Sequence, residues 1–445
     1  GVAVNIQGAS SEVTNTGTVT ATDGTAAYLV GKDATLALNG NGITQAAGSA
    51  HGILLDTGAK GLTVDGATIT MSDTGSGSAI ENKADIVGIQ LKDTTINVGS
   101  GIGVHTGASM AQTNSGTINV TGSGTGILFE NIDGSQTDQT LDMSDSKDLV
   151  INVQQAGGKG IVTNASSDLK TGVSVNVLDA AGGAALIVKG STQKVEQSGK
   201  LTSKSTTDAV VDINNGSVSE FVNRGDILAL NASQKAVETT SGSGVQFTNA
   251  NGGNIIGQVN LLTGNNVVTL ESGSTGTDFT TGSGSDLFLL KDVQESETNL
   301  FTSLNGGQGE DVLKLDNSSY VLNRADAITG MEHIDLTNGS TFTLDNVLLA
   351  LGDSRDDSVS TGYSIDSTST LAVKNSASVA FNSHLYGNGL MTVVTTGNSF
   401  EFTSNNAADG FAGTVAMGNT RFELDGLNTQ ALTNATLRAD NGSIT

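Results

Sequence analysis

The chain has 445 residues and a formal net charge of −25, with 59 glycines, 20 basic residues, no proline and no cysteine. Nucleic acids and anionic membranes are bound by clustered Lys and Arg, which this chain lacks, so we expect neither kind of partner. The lack of cysteine argues against a disulfide scaffold and thiolate metal sites. No apolar stretch reaches the length of about 18 residues that spans a membrane, so we predict no membrane insertion.

Short apolar segments recur through the first half of the chain. Each has a lead rich in Gly, Ser and Thr, then a small residue and an aliphatic run, as in Gly122–Phe129. The small residues lie at 27, 52, 79, 103, 126, 160, 185, 209 and 236, so the steps are 23 to 27 residues apart from one of 34. A fixed period of about 20–50 residues indicates a repeat architecture, in which each unit buries its apolar face by stacking on the next.

A second strand precedes each of these segments. Thr117–Val120 and Val173–Val177 alternate polar and β-branched residues, which is typical of a strand with one buried face. The sequence therefore predicts an all-β protein, a right-handed parallel β-helix (solenoid) of about 24–26 residues per coil with a C-terminal capping section.

A turn with an amide side chain and a glycine two positions later lies before this second strand. The clearest examples are Asn15-Thr-Gly17, Asn114-Ser-Gly116, Gln197-Ser-Gly199 and Asn223-Arg-Gly225. We expect the glycines to supply a positive φ and the amides to form ladders between coils. Arg224-Gly225-Asp226 also matches the integrin-binding tripeptide, but the repeated corner explains this glycine and short motifs often match by chance.

The second half of the chain continues with altered chemistry. Strands are predicted at Asn266–Leu270, Asp286–Leu289 and Asp311–Leu315, and the run Asn346–Leu351 reads as a short helix or a buried strand. We predict β-helix coils over 1–319, irregular coils or a small insertion over 320–356, and a capping section with longer, Phe-rich strands over 357–445.

The repeats and the last section together resemble the passenger domain of a bacterial autotransporter adhesin of the AIDA type. The resemblance rests on the corner Asn-Xaa-Gly-Xaa-Ile and on the closing segments Gly387–Val394 and Phe411–Leu424. It implies a chain that is exported to the bacterial cell surface and attaches to host matrix or glycans, and that in some members promotes self-association between cells. The resemblance covers nearly the whole chain, but its motifs do not specify a ligand.

Polar residues recur three to six positions after each small residue of the repeat. If coils stack at the strand spacing of about 4.8 Å, these residues share one edge and form a long polar, acidic groove. Such a groove suits hydrogen bonding to a glycan or to an extended protein segment. The predicted ligand-binding residues are Asp56, Asn82, Asp85, Glu130, Asn131, Asn164, Lys189, Asp212, Asn214, Glu238, Glu271, Lys291 and Asp292.

A glycine-rich motif in the second half is the best candidate for a metal site. Gly306-Gly-Gln-Gly-Glu-Asp311 matches the pattern of calcium-binding β-roll repeats, and Gly282-Ser-Gly-Ser-Asp286 matches part of it. Such sites take oxygen ligands from adjacent tandem repeats, whereas these copies lie 25 residues apart along the chain. We therefore interpret both aspartates as turn residues and predict neither a metal nor a cofactor.

No set of nucleophile, base and orienting residue emerges from the sequence, and the four histidines, His51, His105, His333 and His384, are scattered. The leading hypothesis is a non-enzymatic surface adhesin that binds a host extracellular matrix protein such as fibronectin, or a glycosaminoglycan, through the polar groove. The first alternative is homotypic self-association that promotes cell aggregation and biofilm formation. The second is an enzyme that acts on polysaccharide.

Overall fold

A computed structural model describes residues 1–22, 24–84, 86, 88–132, 140–214, 216–231, 233–240, 242–352, 361–403, 407–424 and 428–445. Within these ranges the regular secondary structure is entirely β-strand, and the strands pair in parallel from one coil to the next. The chain divides into two compact units, unit 1 (1–243 with 253–260) and unit 2 (244–252 with 261–445). Both units are stacks of parallel strands, which confirms the all-β parallel β-helix; the predicted boundaries at 320 and 357 stay predictions.

Unit 1 is built from four parallel sheets, which we call A to D. Sheet A contains Val2–Ile6, Ala26–Val30, His51–Leu55, Ser78–Asn82, Ile102–Thr106, Thr125–Phe129, Lys159–Thr163, Leu186–Val188, Val211–Asp212, Lys235–Thr239 and Gln258–Leu261. Sheet B contains Ser11–Thr14, Thr35–Asn39, Gly61–Asp65 and Gln90–Lys92. Sheet C contains Thr18–Ala21, Ile43–Ala46, Thr68–Met71, Thr94–Val98, Ser115–Val120, Asp148–Val153, Ser174–Val177, Lys200–Ser203, Asp226–Ala229 and Asn254–Ile256. Sheet D contains Leu141–Met143, Leu169–Thr171, Ser191–Gln197 and Ser217–Asn223.

Unit 2 also has four parallel sheets, which we call E to H. Sheet E contains Gln246–Asn249, Val267–Glu271, Leu287–Lys291, Val312–Asp316, His333–Thr337, Gly362–Ile365, His384–Gly387 and Gly410–Phe411. Sheet F contains Asp278–Thr280, Ser303–Asn305 and Ile328–Thr329. Sheet G contains Ser319–Leu322, Thr341–Asp345, Thr370–Lys374, Leu390–Val394, Thr414–Gly418 and Thr436–Asp440. Sheet H contains Val379–Phe381, Ser399–Phe402, Arg421–Phe422 and Ser443–Ile444.

The interior of each unit consists of columns of apolar side chains, one per coil. In sheet A, Ile53, Ile80, Val104 and Ile127 share one register position, and all four are fully buried. Burying one such side chain stabilises the fold by about 1.5–3 kcal/mol. Because each residue packs on its counterpart in the next coil, the period of the sequence is also the period of the core.

Amide side chains form a ladder on the outward face of sheet C. The Nδ2 of Asn119 donates to Oδ1 of Asn97 at 2.9 Å, Asn152 donates to Asn119 at 3.3 Å, and Asn176 donates to Asn152 at 3.1 Å. The hydroxyl of Thr202 extends the ladder to Oδ1 of Asn176 at 3.0 Å. A ladder of this kind was predicted for the corners, but it lies in the middle of a strand.

The corner glycines are needed for a different reason from the one predicted. Only Gly116 of the four quoted corners has a positive φ, at 122°. A Cβ on Gly199 would lie 2.3 Å from the carbonyl oxygen of Val173, and one on Gly225 would lie 2.1 Å from that of Gly199. These two glycines are therefore required by the close approach of neighbouring coils. The amides of the corner are buried and cap their own turn, as where the backbone N–H of Gly17 donates to Oδ1 of Asn15 at 3.0 Å.

Parallel strand pairing continues after residue 319. Ser319–Leu322 pairs with Thr341–Asp345, and His333–Thr337 pairs with Val312–Asp316, all in parallel. Val347–Leu351 is neither helix nor strand, so both interpretations of that run were wrong. The strands from Gly362 to Ile444 have two to five residues and are not longer than those before them. They enclose an aromatic core in which the Phe400 and Phe402 rings lie 5.2 Å apart.

Candidate functional site: a polar edge beside sheet A

Five residues that directly follow sheet A strands occupy the same position in their coils. The backbone N–H of each donates to a carbonyl oxygen at the end of the preceding coil's strand, over 2.8–3.1 Å. We call this row the polar edge, and its members are Asp56, Lys83, Glu130, Asn164 and Lys189. Four of them were predicted, and Lys83 was not among the predicted residues. Coils are spaced at about 4.8 Å, so neighbouring members lie about that far apart, except that Gly107 occupies the coil between Lys83 and Glu130.

Asn82 does not belong to this edge. It is the last residue of its strand, in register with Leu55 and Thr106, and all three are fully buried. Its Nδ2 donates to Oγ1 of Thr106 at 3.1 Å and to the carbonyl of Ile86 at 3.1 Å. The prediction that Asn82 faces a groove was wrong because strand side chains alternate, and Lys83 is the residue that faces outward. Asp85 lies outside the described residues.

Most of the other predicted residues in unit 1 pair with a neighbour. The Nδ2 of Asn164 donates to Oε2 of Glu130 at 3.1 Å. Asn214 joins two further members, because its N–H donates to Asp212 Oδ1 at 2.9 Å and its Nδ2 to Glu238 Oε2 at 3.3 Å. Asn131 is exposed, and Asp56 accepts the backbone N–H of Thr57 at 2.8 Å.

The three predicted residues of unit 2 lie at the ends of sheet E strands. Lys291 and Glu271 are paired in register and form an ion pair of 3.3 Å. Asp292 follows with a positive φ of 59° and accepts a hydrogen bond from Nδ2 of Asn317 at 2.8 Å. Unit 2 therefore has its own set of paired polar side chains.

A buried histidine–glutamate network lies directly beside the polar edge. Oε2 of Glu81 lies 2.9 Å from Nδ1 of His105 and accepts the Ser78 hydroxyl at 2.6 Å. The other ring nitrogen of His105 lies 3.1 Å from Oε1 of Glu130. Glu81 is only 5% exposed, so a buried carboxylate anchors the network. It connects the edge residue Glu130 to the strand beneath it.

The network shifts the pKa of its members in opposite directions. Burial lowers the pKa of His105, but the hydrogen bonds and charges of Glu81 and Glu130 outweigh burial and raise it. Burial raises the pKa of Glu81, and the hydrogen bonds from His105 and Ser78 bring it below its ordinary value. For His51, burial lowers the pKa and dominates. We interpret Glu81 as an ionised carboxylate that stabilises the protonated ring of His105.

Sequence reasoning missed this network because it treated the histidines as scattered. Glu81 and His105 are register partners in sheet A, and Leu54 precedes them in the same row. The register offset is constant along the strand, because Ile102 pairs with Ser78 and Val104 pairs with Ile80. Alignment of the repeats on their small residues, Ala79 and Gly103, would therefore have placed Glu81 next to His105.

Two lysines place positive charge near the polar edge. Burial lowers the pKa of Lys159, and the charge of Lys189 lowers it further. The Nζ of Lys159 donates to the carbonyl of Gly157 at 2.9 Å, while Lys189 is exposed. An anionic ligand would relieve the repulsion between these two lysines. The surface around them is therefore suited to a sulfate or carboxylate group.

The described residues contain no group of three or more His, Cys, Asp or Glu side chains arranged to hold a metal ion. Gly225 of the Arg224-Gly225-Asp226 tripeptide lies against the neighbouring coil, and Asp226 starts a sheet C strand. In the same ranges no helix has the length and hydrophobicity to cross a membrane.

Comparison with known proteins gives one short similarity. The chain is 41% identical over 64 residues to the uncharacterized protein YuaQ of Escherichia coli (strain K12). The matched segment is 14% of this chain but only 5% of YuaQ, so the chain spans a small part of that relative's length. No protein-family model matches the chain, and no solved structure matches it.

Proposed function

We propose that the chain is a non-enzymatic bacterial surface adhesin, exported outside the cell, that binds host extracellular matrix protein such as fibronectin or a glycosaminoglycan. The observation that supports this proposal is the polar edge, in which the same position after the strand carries a polar side chain in five coils, with Gly107 in the coil between Lys83 and Glu130. Repetition at about 4.8 Å lets many weak contacts act on one extended ligand.

The polar edge and the polar residues near it favour contacts of two kinds. The carboxylates and amides of Asp212, Asn214 and Glu238 can hydrogen-bond an extended protein segment. A sulfated glycan is repelled by the net charge of −25, but at physiological salt that repulsion is screened beyond about 8 Å. Lys159 and Lys189 can therefore hold its sulfate groups locally.

The test is binding of the purified chain to immobilised fibronectin and to heparin, with three variants. Lys159→Ala combined with Lys189→Ala should weaken heparin binding at least about tenfold, the loss of roughly 1.4 kcal/mol. Asp212→Ala combined with Asn214→Ala and Glu238→Ala should weaken fibronectin binding more than heparin binding. The control is Lys374→Ala, which removes an exposed lysine of unit 2. A monomeric chain that binds neither ligand contradicts the proposal.

Self-association is the second candidate, and exposed apolar side chains on sheet C favour it. Leu178, Leu230 and Ile256 are 47%, 54% and 49% exposed at the ends of three sheet C strands. Exposed apolar groups of this size gain from contact with another protein surface. Sedimentation of the chain over a range of concentrations tests this candidate, and replacement of all three by Ser should abolish any dimer it reveals.

A further inference from the structure

Four residues of unit 2 form an inward-facing column, which we call the acid column. They are Asn266, Asp286, Asp311 and Glu332, each directly before a strand of sheet E, and those strands are paired in register. One side-chain oxygen of each residue accepts a backbone N–H from the preceding coil. Asn266 N–H donates to Asp286 Oδ1 at 2.6 Å, Asp286 N–H to Asp311 Oδ1 at 2.9 Å, and Asp311 N–H to Glu332 Oε2 at 2.7 Å. The side chains therefore share one orientation.

The second polar atom of the side chain differs between coils. In Asn266 it is Nδ2, which donates to the carbonyl oxygens of Gly264 at 3.0 Å and Leu261 at 3.2 Å. In Asp286 and Asp311 it is Oδ2, which accepts hydrogen bonds and cannot donate them when ionised. Neither Oδ2 has a hydrogen-bond partner among the described atoms, although Asp286 is only 2% exposed and Asp311 is fully buried.

The corners around these two oxygens share one feature with the corner around Asn266. The glycine two residues earlier has a positive φ in each case, 85° at Gly264, 134° at Gly284 and 147° at Gly309. By register, each Oδ2 occupies the position that Nδ2 takes in Asn266, where the amide donates to backbone carbonyls. A buried acceptor without a donor is unfavourable, and more so when it is charged.

No positive side chain compensates the column. The ion pairs of the described residues include none to Asp286 or Asp311. The Thr281 hydroxyl, which could turn toward Asp286, gives its one hydrogen to the carbonyl of Gly306 at 2.8 Å. Among the described residues, the column therefore contains two buried carboxylate oxygens with neither a hydrogen-bond donor nor a positive side chain beside them.

We propose that a Ca²⁺ ion binds between Asp286 and Asp311, held by Oδ2 of both residues and by backbone carbonyl oxygens of their glycine-rich corners. Ca²⁺ takes six to eight oxygen ligands at about 2.3–2.6 Å and accepts backbone carbonyls among them. Two equivalent oxygens one coil apart are separated by about 4.8 Å, close to twice that distance. Mg²⁺ requires octahedral geometry and usually keeps several waters, which a fully buried pair does not favour.

The proposal changes the interpretation of the glycine-rich motif. The two copies end at Asp286 and Asp311, 25 residues apart along the chain, and stacking places them in adjacent coils in direct hydrogen-bond contact. The solenoid thus supplies the neighbouring repeat that the sequence lacked. The proposed site combines two carboxylates with backbone carbonyls, so it does not require a cluster of three acidic side chains.

A surface cleft lies beside these corners. Its volume is about 370 Å³, and Gly284, Gly309 and Glu310 are among its lining residues. The first two are the glycines of the corners before Asp286 and Asp311. The carboxylate of Glu310, 3.5 Å from His333 Nε2, adds negative charge at the mouth.

The experiment is calorimetric titration of the EDTA-treated full chain with CaCl₂ and, separately, MgCl₂ in 0.15 M NaCl at pH 7.5. Melting curves are recorded in parallel. We expect saturable binding of one Ca²⁺ with a rise in Tm, and at least tenfold weaker binding of Mg²⁺. Asp286→Asn and Asp311→Asn should each abolish both responses, whereas Asp409→Asn, at an exposed aspartate of unit 2, should leave them intact.

Both Asn variants should fold, because Asn266 already occupies the same register position, and circular dichroism checks this. A wild-type chain whose Tm and heat signal do not respond to Ca²⁺ overturns the proposal. Ca²⁺ binding that survives in both folded Asn variants overturns it as well, since the ion would then lie elsewhere.

Discussion

Two columns of titratable side chains, one in each unit, show how differently the same stacking rule can act. In unit 1, Glu81, His105 and Glu130 alternate in charge and are joined by contacts of 2.9 and 3.1 Å. In unit 2, Asp286, Asp311 and Glu332 carry the same charge and stack with two unpaired oxygens. The backbone places a residue beside its register partner in the next coil in both cases. Whether a column stabilises the fold therefore depends on whether successive residues complement each other.

The largest effect should come from Glu81→Ala. It leaves His105 and the buried hydroxyl of Ser78 without their shared acceptor, and loss of one partner of a buried pair costs about 3–5 kcal/mol. Since Glu130 remains beside His105 and is partly exposed, we expect the lower end, about 3 kcal/mol, in urea unfolding. Glu220→Ala is the control, because its ion pair with Lys194 is exposed and should contribute less than about 1 kcal/mol. Equal effects of the two variants would show that the unit 1 column has no special role.

The opposite sign is expected for the unit 2 column. In EDTA at pH 7.5, Asp286→Asn should stabilise the chain by about 1–2 kcal/mol, because the amide supplies the donor that Oδ2 lacks. The measurement is the urea midpoint, with Asp409→Asn as the control of unchanged stability. A loss of stability in Asp286→Asn would mean that its Oδ2 is satisfied in solution.

The pH dependence of the unit 1 column follows from the directions of its pKa shifts. The raised pKa of His105 gives stability that is complete below its unfolded value near 6.5 and is lost as pH rises through its folded value. The lowered pKa of Glu81 gives stability present above about 4.5 and lost as pH falls, and the lowered pKa of His51 also disfavours acid. Comparison of wild type with His105→Gln isolates the ring. The stability difference should shrink between pH 6.5 and 8, and a difference that grows with pH would contradict the assignment.

The smallest effect is expected for the uncharged ladder on sheet C. Asn152→Ala removes two amide hydrogen bonds of 3.3 and 3.1 Å from a partly exposed surface. Water can replace both, so we expect a loss below about 1 kcal/mol in urea unfolding. Asn82→Ala, which removes a fully buried amide, should cost more. Equal losses would show that exposure does not weaken the ladder.

The fold could be predicted from the sequence because each coil contributes one apolar side chain to each column of the core. The repeat length of the sequence is therefore also the repeat length of the core. The site could be predicted only in part, since register must be known to a single residue. Asn82 was assigned outward and Lys83 was passed over, because the sequence pattern alone does not show that the last residue of this strand turns inward beside Leu55 and Thr106. For Asp286 and Asp311 the motif was visible, but their contact depends on two segments 25 residues apart that become neighbours only in the coil stack.

The asparagine ladder of sheet C bears on how such a chain can grow. Duplication of one coil inserts every side chain next to a copy of itself. Asparagine carries a donor and an acceptor on the same amide, so a copy of Asn119 or Asn152 can bond to its original as these residues already bond to each other. An ionised aspartate carries acceptors alone, and its copy inherits an unpaired oxygen. A duplicated row of amides therefore pairs without further mutation. A duplicated aspartate needs either a second substitution or a bound cation to satisfy its unpaired oxygen.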